Sequence, residues 1–201
     1  MKILALSFSP RKGGNTEILL GEALKGAQQA GATTELYSTI DKDIAPCDGC
    51  GSCQKSGECH IRDDMQEVYN KLLEADGIIF GTPVYFYGMT GQCKTVIDRS
   101  FALGGPGRRM ANKVGGVIVV AGSLGLVDVL KDMYFYMVTR QILPANFVAA
   151  YGGRRGEVID MEKTMKAAGD LGRQMVKIAE KKFEYPDDIP PVHIAYGTHT
   201  R

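Results

Sequence analysis

No stretch of this sequence is apolar for long enough to cross a bilayer. The strongest candidate, the uncharged run Val114 to Val127, contains four glycines and falls short of the ~20 apolar residues a spanning helix needs. Charge of one sign is also missing. Lysine plus arginine, 24, stands against aspartate plus glutamate, 23, leaving a formal charge of +1. This balance gives no basic footprint for a nucleic-acid backbone, so neither nucleic acid nor membrane is expected as a partner. Histidine is scarce: His60, His193 and His199 are the whole supply. No Ser-His-Asp or acid–base constellation can be assembled from them, and no catalytic side chain is expected. Repeats, low-complexity tracts and linkers are lacking too. With 44% hydrophobic and 23% charged residues, the 201-residue chain reads as one ordinary globular domain. That domain is expected over residues 1–183. The segment 184–201 carries Pro186, Pro190 and Pro191, cannot continue a helix, and is read as an extended surface tail.

Two residue types are present in unusual supply or placement. Glycine numbers 25, well above its ordinary share of ~7%. Of five cysteines, four lie between Cys47 and Cys59. The opening run MKILALSFSPRKGG lacks a small-residue cleavage site and is read as a strand, not a signal peptide. The expected compartment is therefore the cytoplasm, where clustered thiols stay reduced and serve as metal ligands more often than as disulfides.

Short apolar runs alternate with longer ones of helical period. Strands are expected at Lys2 to Ser7, Thr33 to Ile40, Ile78 to Phe80, Val114 to Ala121 and around Phe147 to Ala150. Between them, Ile18, Leu20, Ala23, Leu24 and Ala27 share one helix face, and Met65, Val68, Leu72 and Leu73 share another. Further helices are expected behind Val96, Ile97 and Phe101, over Leu124 to Gln141, and along Met161, Met165, Ala168, Met175 and Ile178. Five strands each followed by a helix give a doubly wound α/β fold: a parallel sheet with helices on both faces.

The first strand runs into Ser9-Pro10-Arg11-Lys12-Gly13-Gly14-Asn15-Thr16. A loop entering a helix offers unpaired N–H groups and the positive end of the helix dipole, which together make an anion site. Gly13 and Gly14 allow close approach, Ser9, Asn15 and Thr16 add donors, and Arg11 and Lys12 add cations. A plainer possibility is a glycine-rich turn with Asn15 or Thr16 capping the helix. The loop lacks both the Gly-Lys-Ser/Thr ending of a nucleotide P-loop and G-x-G-x-x-G. What remains for a five-stranded sheet is a mononucleotide, FMN, at the switch point of a flavodoxin-like 2-1-3-4-5 order. Two further loops leave the same edge. Pro83, Val84, Tyr85 and Phe86 would wall a flavin ring, and Ala121, Gly122 and Gly125 are small enough for the ring to lie against backbone.

The cysteine segment has the spacing C-x2-C-x2-C-x5-C over Cys47, Cys50, Cys53 and Cys59. Its first three positions match an iron–sulfur run, and all four would have to serve one cubane because no second set exists. Zinc is the rival, although its usual pattern of two separated C-x2-C knuckles is missing and only His60 could stand in. Cys93 lies on the face of Val96 and Ile97 and is expected to be a core thiol. Arg108, Arg109, Lys113, Arg154 and Arg155 are read as a solvated, charge-mixed surface that could meet an NADPH phosphate or an acidic carrier.

The SPRKGGNT loop, the TPVYFYGMTGQCKTVIDR segment and the four-cysteine motif together resemble the iron–sulfur flavoproteins, within the NAD(P)H-dependent FMN reductase-like group. The resemblance runs from residue 1 to about 180. It implies one FMN and one [4Fe-4S] cluster per subunit, a homodimer or tetramer, and exchange of electrons with ferredoxin-like carriers. It further implies a small acceptor such as oxygen, peroxide or quinone, with NAD(P)H a candidate substrate. By match, Ser9, Arg11, Asn15 and Thr16 would hold the phosphate, Pro83 to Phe86 the ring, and Cys47, Cys50, Cys53 and Cys59 the cluster. In the expected strand order the cysteine loop lies on the phosphate side of the first strand, two or three spacings of ~4.8 Å from the ring. A dimer that sets cluster against ring across its interface is therefore expected. Two other functions remain open: an NAD(P)H-dependent FMN or quinone reductase with zinc or no metal in the loop, and a non-enzymatic redox carrier or sensor.

Overall fold

The computed structural model describes residues 1–104 and 107–188; Pro190, Pro191, His193 and His199 lie outside them. Strand β1 spans Lys2–Ser7, β2 Thr33–Ser38, β3 Gly77–Tyr85, β4 Gly88–Met89, β5 Val114–Ala121 and β6 Leu143–Tyr151. Helices are α1 Asn15–Gln29, α2 Cys53–Ser56, α3 Met65–Glu74, α4 Gly91–Arg99, α5 Leu126–Thr139 and α6 Glu162–Ala179. The parallel order is β2-β1-β3-β5-β6, with β4 pairing antiparallel to β3 alone. Counting parallel strands only, this is the expected 2-1-3-4-5.

Alternation along β1 sorts the core into two layers. Leu4, Leu6 and Phe8 face Met65, Val68 and Leu72 of α3, Cys93 of α4 and Met133 of α5. Ile3 and Ala5 face Leu20 and Ala23 of α1 and Leu171 and Met175 of α6. β5 is buried at all eight positions, as a central parallel strand covered by helices on both sides must be. The sequence places much of the glycine in loops, yet Gly26 and Gly172 lie inside α1 and α6. A Cβ at Gly172 would collide with the carbonyl of Ala23, and one at Gly26 with the carbonyl of Gly169. The two helices meet backbone to backbone, and glycine is retained there against its poor helix propensity.

Register puts Ser7 beside Ser38 and Gly81, Pro83 beside Val120, and Ala121 beside Tyr151. The loops after β1, β3, β5 and β6 therefore open along one carboxyl edge, at the point where chain order reverses. β3 is longer than its apolar run suggests, and ends in a two-residue turn. Phe86 and Tyr87 both adopt left-handed φ, 46° and 66°. A turn of this kind usually takes Asn-Gly, so an aromatic pair gives no sequence signal for it and is strained there.

Candidate functional site

The phosphate loop is shaped from within. Ser9 is buried, and its Oγ accepts from the Arg11 N–H at 3.2 Å. Gly14, not Asn15 or Thr16, is the N-cap of α1, and no side chain caps it. Asn15 instead reaches across the edge, donating from Nδ2 to the carbonyls of Gly152 at 3.2 Å and Arg154 at 2.8 Å. Its buried Oδ1 has no partner among the described residues. Arg155 reaches back, donating to the carbonyls of Lys12 and Gly13. Glu17, one turn into α1, accepts the Gly13 N–H at 2.5 Å and hydroxyls of Ser7 and Ser38.

These contacts frame a cavity of about 200 Å³ lined by Arg11, Gly14, Asn15 and Thr16 on one side and Pro83, Val84 and Tyr85 on another. Val120, Gly122, Gly152, Gly153 and Arg155 complete it. Nothing lies within 4 Å of a Cβ built on Gly122 or Gly153, so the backbone there is open to a ligand. The open backbone, the cation pair and the unpaired Asn15 acceptor fit a phosphorylated, hydroxyl-bearing molecule such as FMN. Other residues named from sequence do not line the cavity. Phe86 is 97% exposed at the hairpin tip, Ala121 is buried, and Gly125 packs under Tyr87 and Val84. Ser9 supports the loop from beneath, and Lys12 contributes its carbonyl to Arg155. Sequence reasoning missed Gly152, Gly153 and Glu17; Arg155 is exposed, as its solvated-surface reading has it, yet it also bonds the β1 loop. Only the fold brings the β6 loop beside the β1 loop.

A second cavity, of about 100 Å³, is lined by Cys47, Cys50, Cys53 and Cys59. Gly49, Gly51 and Gly57, all at φ 72°, make the curl that turns the segment inward. Burial raises the Cys53 thiol above its ordinary value, and the neighbouring Cys59, Cys47 and Cys50 add to the rise. Opposite stand Asp98, Arg99, Phe101 and Ala102. The two cavities share no lining residue. The cysteine loop is held to the end of α4 by Arg99, whose side chain is fully buried. Arg99 donates to the carbonyls of Ala45 and Ile61 on either side of the cysteines, and to both oxygens of Asp63. Arg109 holds the middle through the Gly57 carbonyl, and Lys113 caps the Leu73 and Ala75 carbonyls. Neither is the freely solvated charge its sequence context suggests. Cys93 is fully buried in the core.

Four cysteines line this one cavity, Cys47 and Cys50 exposed and Cys53 and Cys59 half-buried, a donor set that suits an iron–sulfur cluster or zinc. Residues 1–155 match the family described as NADPH-dependent FMN reductase. The chain belongs to that family. This places it among the flavin-dependent NAD(P)H oxidoreductases, and its curated relatives narrow the branch. It is 36% identical over 190 residues to an iron-sulfur flavoprotein of Methanocaldococcus jannaschii, covering 90% of this chain and 98% of the relative. To an iron-sulfur flavoprotein of Methanosarcina thermophila it is 42% identical over 155 residues, covering 76% and 81%. A solved flavodoxin from the domain Archaea superposes with a TM-score of 0.60 at 14% identity, covering 90% and 99%, which shows the flavodoxin-like fold. No helix among the described residues is long and apolar enough to cross a membrane.

Proposed function

We propose that this member of the FMN reductase family is an FMN- and [4Fe-4S]-containing oxidoreductase of the cytoplasm. It exchanges electrons between NAD(P)H or a ferredoxin-like donor and a small acceptor, either oxygen, peroxide or quinone. The observation that carries this reading is the presence of two separate cavities in one chain, one built on an anion loop and one on four cysteines. Arg11, Asn15, Thr16 and Arg155 hold the FMN phosphate and ribityl chain, and Pro83, Val84, Tyr85 and Gly122 bound the ring. Cys47, Cys50, Cys53 and Cys59 hold the cluster. When bound, FMN exchanges electrons in pairs or singly and a four-iron cluster passes them singly, which couples a two-electron donor to a one-electron carrier.

The exposed Tyr85, Phe86 and Tyr87 at the hairpin, with Leu124 and Val127 beyond β5, form an apolar rim beside the flavin cavity. We assign this rim to the contact between subunits of a homodimer or a tetramer, with one subunit's cysteine loop facing the other's flavin. Sedimentation tests the assembly: a monomer that retains full electron transfer contradicts it. Anaerobic reduction of the flavin by NADH, NADPH or reduced ferredoxin, followed by reoxidation with each acceptor, tests the reaction. A flavin that no donor reduces contradicts it.

A second reading has its own observation. Ligand atoms of Asp48, Cys50 and His60 lie within 4.8 Å of one another, with Asp48 Oδ2 and His60 Nε2 at 2.8 Å. Such a mixed set suits zinc, and zinc without iron in the purified protein would favour a reductase that uses flavin alone.

A further inference from the structure

Arg99 spends four of its five N–H donors on the cysteine loop's two ends. Nη1 donates to the Ala45 carbonyl and Asp63 Oδ2, each at 2.7 Å, and Nη2 to Asp63 Oδ1 at 3.0 Å and the Ile61 carbonyl at 3.2 Å. The fifth, Nε–H, is buried without a partner among the described residues. An unpaired donor of a buried cation carries the full penalty of lost hydration, so native proteins rarely leave one idle. Arg99 is also a wall of the cavity that the four cysteines line. Arg109 and Arg140 leave their Nε–H groups unpaired too, but neither lines that cavity. The buried Arg99–Asp63 pair is a costly way to fasten a loop that apolar packing could fasten, which points to a use beyond fastening.

We propose that Arg99 Nε–H donates a hydrogen bond to a sulfur of the cluster, making Arg99 the protein's electrostatic control over the cluster's reduction potential. The proposal rests on the four cysteines holding an iron–sulfur cluster. Sulfur ligands gain negative charge when a cluster takes an electron, so a fixed N–H donor and a neighbouring cation favour the reduced form and raise the potential. Asp63 offsets part of the cation's charge but takes only Nη donors. The arrangement thereby separates two duties: the Nη groups hold the loop closed, and Nε tunes what the loop contains.

The test uses holoprotein purified anaerobically from cells fed arginine labelled with 15N in the guanidino group. Spin-echo modulation of the reduced cluster is expected to show a weak coupling to one 15N nucleus. In Arg99→Lys, which keeps the charge and loses the Nε–H, the coupling is expected to vanish. The reduced-to-oxidised ratio at fixed potential is expected to fall by on the order of threefold or more, a fraction of one charge-assisted hydrogen bond. Where Arg99→Lys does not fold, the unaltered protein and Arg109→Lys decide the matter, with the coupling retained in both. Iron-loaded protein without coupling overturns the proposal, as does coupling or an unchanged potential in loaded Arg99→Lys. Protein without iron overturns the cluster reading itself, which the iron count reveals before any spin measurement.

Discussion

Arg99 and Asp63 form a two-bond pair, 2.7 and 3.0 Å, in which the guanidinium is fully buried and the carboxylate nearly so. Asp63 also accepts the N–H groups of Ala45 at 2.9 Å and Met65 at 3.1 Å, so one carboxylate ties the entry of the cysteine loop to the start of α3. Burial by itself would raise the Asp63 carboxyl, but the bonds from Arg99 and the two amides outweigh it and hold the group below its ordinary value. Removing one partner leaves an uncompensated buried charge. Asp63→Asn is expected to lower unfolding stability by about 3–5 kcal/mol in denaturant titration.

The same pair sets a pH dependence. A carboxyl depressed in the folded state contributes its stability above the unfolded value of ~3.9, and loses it as pH falls through the lower folded value. The gap in melting temperature between the unaltered protein and Asp63→Asn is expected to be full at neutral pH and to shrink below about pH 4. A gap that widens on acidification contradicts the pairing.

Two helical glycines give opposite outcomes for the same substitution. Gly172→Ala places a methyl against the Ala23 carbonyl and is expected to destabilise by about 1–3 kcal/mol despite alanine's better helix propensity. Gly21→Ala, in α1 with nothing within 4 Å of its Cβ, is expected to stabilise by about 0.5–1 kcal/mol. Thermal melts of the two variants decide whether α1 and α6 meet backbone to backbone.

In the flavin cavity, the open space beside Gly122 separates binding from folding. Gly122→Val is expected to weaken FMN binding about tenfold or more, near 1.4 kcal/mol, while the melting temperature of the flavin-free protein stays unchanged. Equal loss of both would mean that the space belongs to the core and not to a ligand.

Of the cysteines, Cys53 and Cys93 separate ligand from core. Cys53→Ser is expected to remove most of the bound metal. Cys93 lies wholly inside the core, where burial pushes its thiol far up. Cys93→Ser is expected to retain the metal and the flavin but lose about 1–3 kcal/mol of stability by burying a hydroxyl.

What the sequence made legible was local. β1 at Lys2–Ser7 and β5 at Val114–Ala121 follow from unbroken apolar runs between turn residues, and the phosphate loop from its place between a strand and a helix. The strand order follows from reading that loop as a mononucleotide site at the switch point of a five-stranded doubly wound sheet. What stayed hidden depended on partners distant in sequence. Asn15 looks like a cap until the β6 loop supplies two carbonyls for it, and the sequence does not show that the exposed Arg155 bonds the β1 loop. Arg99 ends an amphipathic helix, and nothing in its period shows that Ala45, Ile61 and Asp63 will converge on it. The Phe86-Tyr87 turn is hidden for another reason: its aromatic residues contradict the backbone they adopt.

Cofactor content tests the central claim most directly: FMN, iron, acid-labile sulfide and zinc counted per chain on protein purified anaerobically. The expected result is about one FMN with four irons and four sulfides, as a single cubane held by four cysteines requires. One zinc per chain with neither iron nor sulfide would contradict it, and would leave the cysteine loop a structural clasp on a flavin reductase.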